Sequence, residues 1–306
     1  MENRITINQA INEFPNYLYI KSTASSTIKA YTSDIKIFQR YLKTNFPSIV
    51  YIDTIKKIHI ISYRNFLCDK LKNQEYKKAT VDRKYDSLKV FYDFLEYYEL
   101  IDKNFVKDFK FTRARHMDFD GSETMNLPRF LEDYEIKKII YTAKTDRTEN
   151  RIRDIAILEL LRATGCRRSS VLALTWEDIN FDKNTILIKH QKTKNFSTIP
   201  LSPTLKQALI DHKLVTKGFT GNVFNIKKDA FNDLINKYVS KSGLQEQKDF
   251  KITAHTFRHS FITLLVKKDV PLEKIAQYTG HKDIRSLRVY THLIPKDLDD
   301  IAMLIG

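Results

Sequence analysis

The chain has 306 residues, of which 42% are hydrophobic and 29% are charged. This balance excludes a largely disordered chain, and the length allows two domains with a hydrophobic core each. The formal net charge of +15 favours a polyanionic partner, and the most common polyanion is nucleic acid.

The sequence also argues against membrane, secreted and zinc-binding proteins. No apolar run reaches the ~20 residues that a membrane-spanning helix needs, and the N-terminal residues lack the apolar segment of a signal peptide. The only two cysteines, Cys68 and Cys166, are too few for a disulfide framework or a cysteine-rich zinc site. We therefore expect a cytoplasmic protein.

The first ~110 residues show the 3.6-residue periodicity of amphipathic helices. One apolar stripe recurs at every third or fourth position through Ile28, Tyr31, Ile35, Phe38 and Leu42. A second stripe contains Val81, Tyr85, Leu88, Tyr92 and Leu95. Ser26 or Thr27 is the expected N-cap of the first of these helices. With further helices near residues 8–20 and 54–72, the pattern predicts a bundle of four or five helices over residues 1–110.

The periodicity stops at residues 111–127, a polar stretch around Gly121, which we interpret as a linker. After Pro128, Glu132 and Asp133 lie in the first turn of a predicted helix, where acidic side chains are favourable. Residues 151–176 then predict an apolar helix that is interrupted at residues 163–165.

The next residues predict the only sheet of the chain. Residues 184–202 contain two strand-like runs on either side of a polar turn, which indicates a β-hairpin, and the pattern is helical from there to the end. The expected fold is therefore mainly α. A helical-bundle domain (1–110) and a linker (111–127) precede a mostly α domain with a small antiparallel β-sheet (128–306).

Residues that can bind, protonate or attack a phosphodiester recur along the second domain. In TAHTFRHSF, His255 and Arg258 lie at positions i and i+3, so they share one face of a helix that Thr253 could cap. A helix N-terminus favours anions, and the planar arginine side chain can bind two phosphate oxygens. Such a pair alone occurs more often by accident than by function.

The segment that follows gives this pair more weight. Pro271 suits a first helical turn and Gly280 suits a C-terminal cap, so PLEKIAQYTG predicts a short helix. His281 follows the cap directly, and Tyr290 lies nine positions further along the chain. Tyr278 is a competing tyrosine, but its position in an amphipathic helix favours a place in the core.

Five ordered blocks of this sequence resemble the tyrosine recombinases, also called phage-type integrases, a family that includes the Xer chromosome-resolution enzymes. The blocks are ATGCRRSSVLALTWEDI, the hairpin with KT and a following IPL, HTFRHSF, TGHKDI and VYTHL. Two N-terminal segments, STIKAYTSDIKIF and ATVDRKYDSLKVFYDFL, resemble helices that the family lays against DNA. The resemblance covers nearly the whole chain, and it implies a SAM-like core-binding domain followed by a catalytic domain.

The resemblance implies that Arg167 and Arg258 bind the non-bridging oxygens of the phosphodiester. Two neighbouring positions are unusual for the family. Arg168 is a second candidate beside Arg167, which we prefer because it matches the TGxR pattern. Ser170 stands where the family usually has an acidic residue, so the side chain of Arg167 needs weaker or differently placed support.

The remaining members of the implied site attack the phosphate or move protons. Tyr290 matches the nucleophile, whose phenol has an ordinary pKa of ~10 and must lose its proton during attack, with His255 as the expected base. Lys192, with Lys194 as a close rival, matches the hairpin lysine that protonates the departing 5′-oxygen. His281 is implied to hydrogen-bond the phosphate. The 3′-phosphotyrosyl product would conserve bond energy, so no cofactor is expected, in agreement with the absence of a P-loop motif and of metal-ligand spacing.

The resemblance also implies partners. Both domains would bind double-stranded DNA, mainly through its phosphates. The expected contacts in the first domain, each with a solvated basic face as the alternative, are Lys29, Lys36, Thr80, Arg83, Lys84 and Lys89. In family members a C-terminal helix docks on a neighbouring protomer to form a tetramer on paired sites. The apolar stripe of Leu298, Ile301 and Leu304 fits that role, or it folds back on its own core.

The expected function is site-specific recombination of duplex DNA through a covalent 3′-phosphotyrosine intermediate. The first predicted helix begins within about ten residues, which favours the simple two-domain form of the family. Ser170 and the Cys166-Arg167-Arg168 variant favour the integrase of a mobile element over Xer-type resolution of chromosome or plasmid dimers. The alternatives are an enzyme like the type IB topoisomerases and a non-catalytic DNA-binding protein on the same fold, and the intact site argues against the latter.

Overall fold

The computed structural model describes residues 4–107, 128–190, 195–216 and 220–292. The chain divides into two compact units, Met1–Glu123 and Thr124–Gly306. The predicted linker, residues 111–127, lies outside the described residues. The α-helices of the first unit are α1 (Ile7–Ile20), α2 (Ser25–Asn45), α3 (Lys57–Lys72) and α4 (Lys78–Tyr97).

Both predicted apolar stripes contribute to the core of the first unit. Every member of the stripe on α4 is buried, and on α2 the last three members are buried while the first two pack against the core from its edge. Aromatic rings join the helices, as in the edge-to-face pair of Phe14 and Phe91, whose centroids lie 5.1 Å apart. The predicted N-cap of α2 is wrong, because the helix begins at Ser25 after Ala24, which makes no side-chain cap.

A buried carboxylate connects α2 to α4. Asp34 is 2% exposed and accepts hydrogen bonds from the ammonium of Lys84 at 2.9 Å, from the hydroxyl of Ser87 at 2.8 Å and from the guanidinium of Arg83. Lys84 itself is only 3% exposed. The prediction that Lys84 contacts DNA is therefore wrong, because its charge is used inside the bundle.

In its described residues, the second unit is mostly helical and contains one small sheet. Its helices are α5 (Asp133–Thr145), α6 (Arg151–Thr164), α7 (Arg168–Leu172), α8 (Pro203–Thr216), α9 (Lys228–Lys241), α10 (Ala254–Lys267), α11 (Leu272–Thr279) and α12 (Arg288–Thr291). Its strands are β1 (Ile179–Asn180), β2 (Thr185–His190) and β3 (Asn195–Pro200), paired antiparallel in the order β1-β2-β3. The predicted fold class, mainly α with a small antiparallel sheet, is confirmed.

Two glycines end helices where the chain must turn towards the site. Gly165 caps α6 with φ +55°, and a Cβ there would lie 2.7 Å from a ring atom of Phe261. Gly280 caps α11 with φ +68°. The first cap confirms the predicted interruption and places Arg167 at the start of α7, and the second places His281 directly after α11. Within the residues described, no helix is long and apolar enough to cross a bilayer.

Candidate active site

Arg258 holds together the elements that surround the site. Its side chain is buried, and its guanidinium donates to the carbonyl of Gly165 at 3.0 Å and to the carbonyl of Thr279 at 2.8 Å. These carbonyls belong to the ends of α6 and α11, so the arginine of α10 fixes both helix ends. Burial and the nearby charge of Arg167 lower the pKa of Arg258 to about 10, which leaves it protonated at neutral pH.

Arg167 lies near enough to Arg258 to lower its pKa, and one of its donors is not satisfied by the described part of the protein. Its Nη1 is buried and has no hydrogen-bond partner among the described residues, and burial lowers its pKa. By contrast, Arg168 donates from Nη1 to the side-chain oxygen of Asn232 at 2.7 Å. Because buried N–H groups are nearly always paired, this orphaned donor favours Arg167 over Arg168 as the residue that binds an anion.

Ser170 has a structural role in the sheet. Its hydroxyl donates to the carbonyl of Lys189 at 2.7 Å, and Ser170 is 3% exposed. The residue that replaces the usual acid therefore attaches β2 to α7.

His190 is a site residue that the sequence reasoning missed. It is 1% exposed, and its Nε2 lies 2.8 Å from the hydroxyl of Ser197, which donates to the carbonyl of Gln277 at 2.6 Å. Burial, followed by the charges of Arg167 and Arg258, lowers the pKa of His190 to about 4. The signal for its inward orientation was available, because the alternation along β2 places it on the same face as two buried isoleucines at 186 and 188.

His281 lies against Arg258 as a neutral imidazole. Its Nε2 is 3.2 Å from Nη2 of Arg258, and its Nδ1 is 2.6 Å from the hydroxyl of Thr279. Burial, then the charges of Arg258 and Arg167, lower its pKa to about 3. The predicted grouping of Arg167, Arg258 and His281 is thus present in the structure.

Tyr290 is buried in α12, and its hydroxyl is hydrogen-bonded to Nδ1 of His259. Burial raises the pKa of Tyr290 to about 12, and the charge of Arg258 opposes that effect. Burial, then His255 and Arg258, lower the pKa of His259 to about 4. At neutral pH the imidazole of His259 is therefore uncharged, and the phenol donates to it.

Sequence reasoning chose His255 as the base and missed His259, although both belong to the same HTFRH segment. His255 is exposed in the first turn of α10, where its N–H donates to the capping hydroxyl of Thr253 at 3.2 Å. Its ring centroid lies 4.6 Å from that of His259. Tyr278, the competing tyrosine, stacks on Phe261 and packs against the core.

An open cleft of about 680 Å³ lies beside this group. Its lining includes Arg167, Arg168, Lys251 and His255, together with Thr253 at the N-terminus of α10. Its cationic side chains and the positive end of the α10 helix dipole make this surface suitable for a phosphate backbone. Within the described residues, no three potential metal ligands cluster.

Several predicted residues lie elsewhere or outside the described residues. Lys192 and Lys194 lie outside them, between the paired strand ends His190 and Asn195, as does the tail with Leu298, Ile301 and Leu304. In the first unit, Lys29 and Lys36 are exposed on α2, and the side chains that are partly exposed on α4 are Thr80, Arg83 and Lys89. That these five contact DNA stays a prediction.

Two family models match the chain. Residues 129–296 match the phage integrase family, which is more than half of the chain. Residues 11–97 match the N-terminal SAM-like domain of phage integrases.

Similar proteins carry names from one group of enzymes. A tyrosine recombinase XerC of Pediococcus pentosaceus is 26% identical over 303 residues, which cover 95% of this chain and 96% of the relative. A tyrosine recombinase of Agathobacter rectalis is 29% identical over 304 residues, which cover 92% and 91%.

Solved structures share the fold. XerH recombinase bound to its palindromic difH substrate matches with a TM-score of 0.72 and 18% identity over 97% of this chain and 84% of that one. The Tn1549 transposon integrase in complex with transposon right end DNA matches with a TM-score of 0.70 and 16% identity over 98% of both chains.

Proposed function

The chain belongs to the phage integrase family of tyrosine recombinases, which are DNA strand-transferring enzymes, and we propose that Tyr290 is the nucleophile with which it cuts and rejoins duplex DNA. One observation carries this proposal. The hydroxyl of the buried Tyr290 lies within electrostatic reach of Arg258, and Arg258 lies near Arg167, whose buried Nη1 has no acceptor among the described residues. A phosphodiester supplies the missing acceptor.

The arrangement supports a division of labour in the reaction. Arg167 and Arg258 neutralise the non-bridging oxygens, which gain negative charge as the phenol oxygen attacks phosphorus. Neutral His281, hydrogen-bonded to Arg258, adds a further polar contact to the same phosphate. The Tyr290–phosphorus bond forms as the bond from phosphorus to the 5′-oxygen breaks, and that oxygen takes a proton from Lys192, or from Lys194 in its place.

Two supports favour duplex DNA as the partner. The chain carries a formal net charge of +15, and the cleft beside Arg167 combines cationic side chains with a helix N-terminus. We assign further phosphate contacts to Lys29, Lys36, Thr80, Arg83 and Lys89 of the first unit. The apolar stripe at the C-terminus is assigned to docking on a neighbouring protomer in a tetramer on paired sites.

For the biological role, we propose integration and excision of a mobile element. The support is the variant Cys166-Arg167-Arg168 sequence with Ser170 in place of an acid. Relatives named XerC support dimer resolution as the rival role. Sequencing the DNA beside the gene separates the two, since a repeat or mobile-element genes next to it support the integrase.

The test of the reaction begins with capture of covalent complexes between the purified full chain and a fragment library of the DNA that flanks its gene. The captured site is then built into a nicked duplex that traps the cleaved state. We expect a covalent protein–DNA adduct with the wild type and none with Tyr290→Phe. Tyr278→Phe is the matched control and retains the adduct. An adduct that survives Tyr290→Phe and disappears with Tyr278→Phe would transfer the nucleophile to Tyr278.

A further inference from the structure

We propose that His259 is the general base of DNA cleavage, which takes the proton of the Tyr290 hydroxyl, and that His255 passes this proton on to solvent. The inference rests on the proposed function of Tyr290. It assigns the role of base to the residue next to Arg258 on α10, and the exposed histidine of the same segment only relays the proton.

The geometry of α10 and α12 carries the proposal. The Tyr290 hydroxyl, which is the reacting atom, is hydrogen-bonded to Nδ1 of His259, and the two ring centroids lie 5.7 Å apart. A general base must reach the proton it removes, and this contact meets that condition before DNA is bound. His259 follows Arg258 directly on α10, so the helix that holds a phosphate-binding arginine also orients the base.

The surroundings keep His259 ready to accept a proton. Burial and the neighbouring charges lower its pKa to about 4, so the ring is neutral at pH 7. With such a pKa, the protonated form of His259 is unstable at pH 7, so the ring must pass the proton on as soon as it has accepted it. The ring of His255 packs against it with centroids 4.6 Å apart and is itself exposed at the cleft. The partly buried His259 therefore has an exposed imidazole beside it, to which we assign the transfer of the proton to water.

The step balances without any other reactant. The phenol oxygen of Tyr290 forms a bond to phosphorus, and its proton moves to Nδ1 of His259, which releases its other ring proton towards His255. The bond from phosphorus to the 5′-oxygen breaks, and the separate acid at the hairpin protonates that oxygen. Rejoining reverses each transfer.

A rival reading treats the same hydrogen bond as a latch that holds Tyr290 away from DNA. The surroundings of Tyr290 favour the role of His259 as a base over that of a latch. Tyr290 lies close enough to Arg258 for that charge to lower its pKa, so the hydroxyl is already within electrostatic reach of one phosphate-binding arginine. The two readings predict opposite effects of removing His259.

Two substitutions of His259 in the full chain separate these roles. His259→Ala removes both the hydrogen bond and the base. His259→Asn places an amide oxygen near the position of Nδ1, so it can accept the hydrogen bond but cannot take up the proton. Adduct formation is measured on the nicked duplex with wild type and with each variant, with and without added imidazole.

We expect both variants to form the adduct at least ~100-fold more slowly than wild type, which is the usual contribution of a general base. Imidazole restores the rate of His259→Ala, which has room for it, and does not restore His259→Asn. Full activity of His259→Asn would reduce His259 to a positioning residue, and a faster His259→Ala would establish the latch. Either result overturns the proposal. Failure of the wild type to form any adduct counts instead against the proposed function.

Discussion

Arg167 and Arg258 illustrate how differently one fold can use two arginines. Arg258 donates to two backbone carbonyls and lies against His281, so it is part of the protein's own framework. Arg167 has a buried Nη1 without an acceptor among the described residues. An unsatisfied buried donor costs about 1–3 kcal/mol. The position therefore lowers stability for the sake of a ligand.

Arg167→Ala is expected to reduce adduct formation at least ~100-fold, in line with the loss of one group that stabilises transition-state charge. The same change leaves the free energy of unfolding unchanged or higher, because Nη1 donates no hydrogen bond to a described residue. Adduct formation on the nicked duplex and denaturant unfolding measure the two effects. Arg168→Ala is the matched control, since that side chain is held by Asn232.

For Arg168→Ala we expect adduct formation within about 10-fold of wild type, because this partly buried side chain is bound by Asn232 and its loss removes no transition-state contact. If the two variants exchange these phenotypes, Arg168 is the arginine that binds the phosphodiester, and the assignment from the TGxR pattern is incorrect.

Some residues of the candidate site can be predicted from the sequence, and others cannot. Motif spacing selected Arg258, His281 and Tyr290, and the fold brings these three side chains near one another. It did not reveal His259 as the partner of Tyr290, because both histidines of HTFRH are plausible by type. Only the rotation of α10 against α12 decides which of them meets the phenol. The prediction that Lys84 contacts DNA was wrong for a similar reason, because its buried carboxylate partner lies on another helix.

At the scale of elements, the end of α11 is coupled to the sheet through Gly280 and His190. A Cβ on Gly280 would lie 2.3 Å from Cδ2 of His190, a distance that real Cβ atoms do not tolerate. His190 cannot easily move, because it is buried and within hydrogen-bonding distance of Ser197.

Gly280→Ala is therefore expected to lower the free energy of unfolding by roughly 2–4 kcal/mol, the sum of left-handed backbone strain and overpacking. Gly243→Ala is the control, because Gly243 has a similar φ of +69° and no atom within 4 Å of the added Cβ. It is expected to cost about 1 kcal/mol. The single tryptophan, Trp176, is buried in the same unit and reports both transitions by fluorescence. Equal losses of unfolding free energy in the two variants would show that His190 moves to make room for the added Cβ.

In the first unit, the corresponding element contact is the Asp34 cluster between α2 and α4. Asp34→Asn leaves the buried ammonium of Lys84 without its anion, and breaking such a pair costs about 3–5 kcal/mol. Asp53→Asn removes a carboxylate from the exposed pair with Arg4 and is expected to cost less than about 1 kcal/mol. Urea unfolding followed by circular dichroism measures both.

Trp176 gives this experiment an internal reference, because it lies in the other unit. Its fluorescence transition should stay in place when Asp34→Asn shifts the helical signal. A loss below 1 kcal/mol for Asp34→Asn would mean that water reaches Lys84.

For the whole molecule, composition and periodicity were sufficient to predict a basic, mainly α chain with a small antiparallel sheet. These properties follow from averages over many residues, which local errors in caps and boundaries do not change. The titration of the second unit could not be predicted in this way. It depends on three histidines that are far apart in sequence and become neutral neighbours of two arginines only in the folded chain.

These histidines make the stability of the second unit sensitive to acid. The folded chain lowers the pKa of His190 and His259 to about 4 and that of His281 to about 3, whereas the unfolded chain titrates near pH 6.5. As the pH falls through 6.5, these histidines become protonated in the unfolded state but stay neutral in the folded state. The contribution to stability is complete above pH 6.5 and is lost towards pH 4 and 3.

Each histidine can contribute a slope of up to about 1.4 kcal/mol per pH unit below pH 6.5, so the free energy of unfolding should fall by up to roughly 6 kcal/mol between pH 7.5 and 5.0. Denaturant unfolding followed by Trp176 fluorescence measures this loss. The ion-paired carboxylates Asp133 and Asp146 stay charged in this range, because hydrogen bonds from their cationic partners lower their pKa further. His259→Asn should reduce the slope by about one third even if it shifts the absolute stability. A flat profile would show that water enters the site and protonates the histidines without unfolding.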